Sequence, residues 1–192
     1  MLREFITFFL LFFKRAVCKV EISQNGIPVF FLKNDVFSNI VNFLKNSIFF
    51  KFDILTDIFG IDNLTLKNKR FEVVYCFVST QFNIRILVVL QSEFSNLYPF
   101  GVGLNSIEGF YSSANWLERE VWDLYGLFFF NHSDLRRILT DYGFKGFPLR
   151  KDFPLTGFVE VKYDELKKTV VYERVKLAQE FRVFSFINPW TG

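Results

Sequence analysis

The stretch from Trp116 to Pro154 constrains this chain most: W-L-E-R-E-V-W-D-L-Y-G-L-F-F-F-N-H-S-D-L-R-R-I-L-T-D-Y-G-F-K-G-F-P-L-R-K-D-F-P. Nearly every position is a large apolar side chain or a full charge, and the small polar residues of ordinary loops are few. It holds the single histidine, His132, and two of the three tryptophans, Trp116 and Trp122. Its first part predicts a helix over 115–125, with Leu117, Val121, Leu124 and Phe128 recurring on one buried face. Ser112, Ser113 or Asn115 is expected to cap it, with Glu118 and Glu120 near the positive end of the dipole. Arg119 and Asp123, at i,i+4, are expected to pair on the outer face. Gly126 suits the left-handed residue that stops the helix. Leu127 to Phe130 then run into a core or against a partner.

A short second helix is expected over Asp134–Leu139 behind Ser133. The chain then turns at Gly143, Gly146 and Pro148 and extends through Pro154. So long a segment with little regular structure is unusual inside a compact domain and is more often laid along something else.

Elsewhere the pattern is that of one domain with a core and an appended arm. Phe5 to Phe13 is apolar except for Thr7 and flanked by Arg3, Lys14 and Arg15. It is too short for a membrane span of about 20 residues, lacks a following cleavage site, and suits a helix docked on the domain or a neighbour. From Val17 the period becomes two. Strands are expected at Cys18–Ile22 and, after an Asn25-Gly26 turn, at Ile27–Leu32. A helix capped by Asn34 or Asp35 follows, with Val36, Ile40, Phe43 and Leu44 on one face. Next come a half-buried strand through Phe50, Phe52, Ile54 and Ile58, and two longer strands, Phe71–Ser79 and Phe82–Gln91. A second hairpin is expected from Gly157–Asp164 and Thr169–Arg174 around Glu165–Lys168. The fold class is α+β: a mixed sheet with helices on one face, then an extended C-terminal arm with a small hairpin. The expected parts are an N-terminal Phe-rich segment (1–16), an α+β domain (17–130) and a partner-binding arm (131–192).

Composition excludes several functions. A net charge of +3, without a Lys/Arg run on one face, argues against nucleic acid. Two cysteines, Cys18 and Cys76, cannot supply the four thiolates of an iron–sulfur cluster, nor, with His132, the four ligands of a structural zinc. Both lie in expected strand interiors, where buried thiols are common. Gly101-Val102-Gly103 opens no helix and lacks a lysine, so it is not a phosphate loop. His132 near Asp134, preceded by Glu118, Glu120 and Asp123, suits acid–base or metal chemistry; the plainer reading is a histidine bonded to a neighbouring helix. The 29 phenylalanines against three alanines point to an AT-rich, organellar genome rather than to any mechanism.

The run from Glu118 to Leu139 resembles the signature of the thirty-kilodalton-type (NuoC family) subunit of respiratory complex I. The resemblance continues through T-D-Y-G-F-K-G-F-P-L-R-K-D-F-P-L-T-G-F-V-E-V-K-Y-D to Q-E-F-R-V-F-S-F-I-N-P-W. Upstream, F-E-V-V-Y-C-F-V-S-T-Q-F-N-I-R-I is similar to the family's central hairpin. It is close to continuous from about 50 to 190 and weak before that. Two positions depart: Phe147 stands where the family has a second histidine, and Ser133 where proline is usual.

This resemblance implies a subunit of the quinone-reducing module in the peripheral arm, on the matrix side of the mitochondrial inner membrane. It implies no redox centre in this chain: iron–sulfur clusters, FMN, NADH and ubiquinone belong to other subunits. It implies an arm wrapped around the large quinone-site subunit (NuoD-like), with the NuoB-like and NuoI-like cluster subunits nearby. Glu118, Arg119, Glu120, Asp123, His132, Arg136, Arg137, Arg150, Lys151, Asp152, Phe153 and Pro154 are its signature and candidate interface positions. The arginines, Lys151 and Asp152 are expected in ion pairs or backbone hydrogen bonds, some across a subunit boundary. From about Gly143 the arm is expected to fold fully only on its partner. Two alternatives are an organellar ribosomal or RNA-binding protein, which should be more basic, and a small metal-dependent hydrolase built on His132.

Overall fold

The computed structural model describes residues 2–66, 69–92 and 103–190 apart from 187 and 189. Gly101 and Val102, weighed above as part of a phosphate loop, lie outside them. Two compact units divide between Phe153 and Pro154, so residues 131–153 belong to the first.

The first unit opens with α1 (Leu2–Phe13), followed by β1 (Val17–Ile22) and β2 (Pro28–Leu32). A 3-10 turn (Asn34–Val36) leads into α2 (Phe37–Asn46). Then come β3 (Ile54–Asp62), β4 (Phe71–Ser79), β5 (Ile84–Ser92), β6 (Leu104–Asn105), α3 (Ala114–Tyr125) and β7 (Phe129–Phe130). Strands β1 to β5 form a mixed sheet in the order β1-β2-β5-β4-β3, with β2 and β5 parallel and the other pairs antiparallel. Strands β6 and β7 form a short parallel pair.

The alternation along β4 and β5 places Phe71, Val73, Tyr75, Phe77, Ile86, Val88 and Leu90 in the core. The helices cover this face. Phe9 of α1 stacks on Phe30 at 4.1 Å between centroids, and Phe37 of α2 lies 4.6 Å from Tyr75. Tyr125 of α3 sits where a Cβ on Gly60 of β3 would meet it at 2.7 Å. Each fully buried phenylalanine contributes on the order of 1.5–3 kcal/mol, so the Phe-rich α1 is part of the domain. No helix among the described residues is long and apolar enough to cross a membrane.

Several expectations are corrected. The strand through Ile54 and Ile58 changes phase, because a register shift lies between Leu55 and Asp57. Leu55 and Ile58 both point inward while Ile54 is exposed, as an inserted residue in one strand allows. Phe50 and Phe52 are buried but precede this strand. Cys18 is exposed, since a shift at Val17/Lys19 turns β1 out of strict alternation. Phe43 lies near the rim of its helix face, and Val41 takes the inward place. Asn34 gives its side-chain amide to Gln91 O (2.9 Å) instead of capping α2.

In α3 the buried face carries Ala114, Glu118, Arg119, Val121 and Asp123. Leu117 and Leu124 are half-buried and Phe128 is exposed. Ser113 occupies the N-cap with helical φ/ψ, and its hydroxyl donates to Leu55 O (3.2 Å). Arg119 and Asp123 do not pair on an outer face, because both are buried with other partners. Residues 134–139 form no helix: Asp123 takes amide hydrogens at their end. Leu127 and Phe129 enter the core, whereas Phe130 points outward from β7.

The second unit is the hairpin of β8 (Val159–Asp164) and β9 (Thr169–Arg174), followed by a tail without regular structure.

Candidate functional site

The signature residues form a network around both ends of α3. Asp123, fully buried, is its centre. Its Oδ2 accepts the amides of Ile138 (3.1 Å), Leu139 (2.6 Å) and Thr140 (2.9 Å). Its Oδ1 accepts the Thr140 hydroxyl (2.6 Å) and Arg137 Nη1 (3.3 Å). Burial alone would raise this carboxyl, but the Thr140, Leu139 and Ile138 hydrogen bonds outweigh it and hold the group below its ordinary value. One carboxylate thus does for residues 138–140 what a helix would have done, satisfying three consecutive amides. Arg137 also donates to Gly146 O (3.0 Å) and lies over the Phe147 ring at 4.9 Å.

At the other end, Glu118 is buried completely. It accepts the Ile107 amide (2.8 Å) and the Ser106 hydroxyl (2.6 Å). Burial nevertheless raises its pKa to about 7. The Tyr75 hydroxyl, buried and without a hydrogen-bond partner among the described residues, is raised by burial and then by the nearby Glu118 charge. His132 is bonded to α3: Nε2 meets Asn115 O at 3.2 Å, and Nδ1 accepts the Asp134 amide at 3.1 Å. That pairing assigns hydrogen to Nε2 and leaves neither ring nitrogen open for a metal or proton shuttle. Glu108 accepts the Ser133 backbone amide and hydroxyl (3.0 and 2.7 Å) and the Asn115 side-chain Nδ2 (2.7 Å), which hold its pKa at about 2. Ser133 supplies two of those bonds, one through a backbone N–H. Among the described residues no group of three or more His, Cys, Asp or Glu is placed to hold a metal ion.

The segment 147–153 closes the carboxyl end of α3. Gly126 has φ +75°, and its amide donates to Trp122 O. Leu149 N donates to Leu124 O (3.1 Å), and Arg150 Nε to Tyr125 O (2.6 Å). Three of the helix's last carbonyls are thereby satisfied, and a cation stands at the negative end of the dipole. The Arg150 guanidinium lies over both the Phe147 ring (4.4 Å) and the Phe71 ring (5.1 Å). Burial, then the charge of Arg70, lowers its pKa from the usual guanidinium value. Its Nη2 is buried without a hydrogen-bond acceptor among the described residues, and the stacking on two rings offsets part of that cost. Phe147 thus presents an aromatic face to both Arg137 and Arg150.

Asp62 joins this end to the sheet. It accepts Arg70 Nε (2.7 Å) and Nη2 (2.8 Å) as a fork and also the Lys151 amide (2.8 Å). Burial opposes its ionisation, but these bonds hold it below its ordinary value. Arg70 Nη1 reaches Asp152 at 3.0 Å.

Of the remaining signature positions, Arg119 donates to Arg136 O (3.2 Å) and lies over Trp116 (5.1 Å). Arg136 pairs with Asp134 on the surface (2.7 Å), where such pairs contribute little. Phe153 packs on Phe144 at 6.0 Å. Glu120 is exposed, and Pro154 opens the second unit. Sequence reasoning missed Asp62, Arg70, Ser106, Glu108 and Thr140. Asp62 had a signal: it continues the inward phase of Ile58 and Gly60, and an inward carboxylate requires a cation. Thr140 had none.

Asp62, Glu108, Glu118, Asp123, Arg70, Arg119, Arg137 and Arg150 are therefore bonded to one another, to neighbouring side chains or to the backbone. Over residues 30–159 the chain matches the family described as "Respiratory-chain NADH dehydrogenase, 30 Kd subunit". NADH dehydrogenase (ubiquinone) iron-sulfur protein 3 of Beta trigyna is 47% identical, over 92% of this chain and 88% of its own length. NADH-ubiquinone oxidoreductase subunit 9 of Acanthamoeba castellanii is 44% identical, over 93% of this chain and 86% of its own. Among solved structures, the trypsin-resistant fragment (1–134) of Nqo5 superposes with a TM-score of 0.57 at 29% identity, covering 70% of this chain and all of the fragment. These relatives give the RNA-binding and hydrolase alternatives no support. The chain belongs to the 30 kDa subunit family of respiratory-chain NADH dehydrogenase.

Proposed function

We propose that this chain is an architectural subunit of proton-pumping NADH:ubiquinone oxidoreductase, placed in the quinone-reducing module of its peripheral arm and carrying no redox centre. It has no active site of its own; NADH, FMN, the iron–sulfur clusters and ubiquinone are handled by other subunits. Its principal partner is the NuoD-like subunit, with the NuoB-like and NuoI-like subunits adjacent. It works on the matrix face of the mitochondrial inner membrane, a location supported by the plant and amoeba relatives and the organellar composition.

The observation that carries this reading is the hairpin of β8 and β9. Val159, Val161 and Tyr163 lie on one face with Val170 and Tyr172 opposite, and each is more than half exposed. The other face carries the Lys162–Glu173 ion pair (2.7 Å). A lone two-stranded hairpin is marginal in water, and a continuous apolar face marks an interaction surface. The tail continues the pattern with Phe181, Phe184, Phe186 and Trp190, all exposed.

The test is removal of Gln179–Gly192. The amount of assembled complex falls, while quinone reduction per assembled complex is unchanged. Normal assembly with collapsed quinone reduction would overturn the architectural role. The purified single chain is silent in EPR, and an iron–sulfur signal from it would contradict the absence of a redox centre.

A further inference from the structure

The surface where the carboxyl ends of α1 and α2 meet takes no part in the network or the hairpin. Two adjoining grooves of about 520 and 620 Å³ share Phe12, Asn39 and Phe43. These volumes fall within the roughly 300–1,000 Å³ typical of occupied pockets. The walls are preformed: Phe12 and Phe43 are 5.6 Å apart, and both rest on the buried Phe50 at 5.8 and 5.9 Å. One end is lined by Lys14 and Arg15, the other by Ile48 and Phe49. Neither lining contains an Asp or Glu. Leu11, Ile48 and Phe49 are 74%, 82% and 64% exposed, an unusual density of bare apolar side chains beside two cations.

We propose that this groove is a second docking site, receiving an apolar segment of a neighbouring subunit whose Asp, Glu or chain-terminal carboxylate meets Lys14 and Arg15. The two adjoining open grooves suit an apolar helix face laid along them, in contact with Phe12 and Phe43. The one-sided charge sets the direction in which the segment lies and excludes segments ending in a cation. The proposal rests on the reading of this chain as a subunit.

The experiment is zero-length carbodiimide cross-linking of the isolated assembly, which joins an amine only to a carboxylate in contact with it. Lys14 is expected to be linked to an Asp, Glu or C-terminus of another subunit within an apolar stretch. Acetylation of Lys14 is expected to be several-fold slower in the assembly than in the free full-length chain. The double reversal K14E/R15E, at two exposed positions, should lower this chain's incorporation several-fold at an unchanged unfolding midpoint, with K14Q/R15Q intermediate. Absence of a cross-link together with equal acetylation in both states would overturn the proposal. So would protection of Lys14 arising only on vesicles of phosphatidylcholine and cardiolipin, which would make the groove a membrane contact. Absence of this chain from the isolated assembly would overturn the subunit reading itself, and the groove proposal with it.

Discussion

The stretch from Trp116 to Phe153 and the hairpin with its tail from Pro154 onward are both rich in aromatics and charges, yet they use them in opposite ways. In the first, Asp123 and Glu118 are buried and bonded within the chain, Arg150 donates to Tyr125 O, and Phe147 meets two guanidinium groups. In the second, the charged side chains pair across one face of a hairpin and the apolar ones stand in solvent. One stretch is bonded within the domain, and the other leaves its apolar side chains exposed, as the proposed architectural role requires.

Substitutions separate these two uses. The largest expected effect is at Asp123. Asp123→Ala strands three part-buried amides and Arg137, and should cost about 2–4 kcal/mol of chain stability, read from the denaturant midpoint. A loss below about 1 kcal/mol would mean that residues 138–140 are held by something else. Because the folded-state pKa of Asp123 is depressed, its contribution is full above the unfolded value and is lost as pH falls through the folded one.

Gly126→Ala comes next. It combines a left-handed backbone with a Cβ that would lie 2.6 Å from both Arg150 Nη2 and the Phe147 ring. A loss of about 1–3 kcal/mol is expected. Arg150→Ala in the same background should then add less than it does alone, a coupling measurable by a double-mutant cycle.

Glu118 titrates in the opposite sense. Its folded pKa of about 7 lies above the unfolded value near 4.5, so its contribution is complete below the unfolded value and is lost as pH rises through the folded one. Chain stability from this group should fall by about 2–3 kcal/mol between pH 5 and 8, and Glu118→Gln should flatten that slope. An unchanged slope would show that burial does not govern this carboxyl.

Val161→Lys with Tyr172→Lys should change chain stability least, within about 0.5 kcal/mol, because both side chains are already exposed. The amount of assembled complex should nevertheless drop. Destabilisation by several kcal/mol would place the hairpin's apolar face inside the chain's own fold.

Periodicity makes most of the fold legible in the sequence. The strand alternation at 71–79, 159–164 and 169–174, the helix behind Ser113 and the Gly126 stop are local properties of the backbone and its side chains. Illegible features depend on contacts distant in sequence. Residues 134–139 have helical spacing, yet Asp123 claims the amides of Ile138 and Leu139. Arg119 and Asp123 have the spacing of a surface pair, yet each finds its partner in 136–140. The phase change at Leu55 comes from one inserted residue, which no alternation pattern locates. Phe144, Phe147 and Phe153 have the character of partner-bound aromatics, but Arg137, Arg150 and Gly146 give them a place within the first unit.

Hydrogen exchange on the free full-length chain and on the assembled complex tests the contrast most directly. Amides of 118–126, 138–140 and 149–151 should exchange slowly in both states, since they are bonded within the chain. Amides of 159–174 and the tail should exchange rapidly in the free, monomeric chain and become protected only in the complex. Slow exchange across 159–174 in the free monomer would show a self-supporting hairpin and contradict the account.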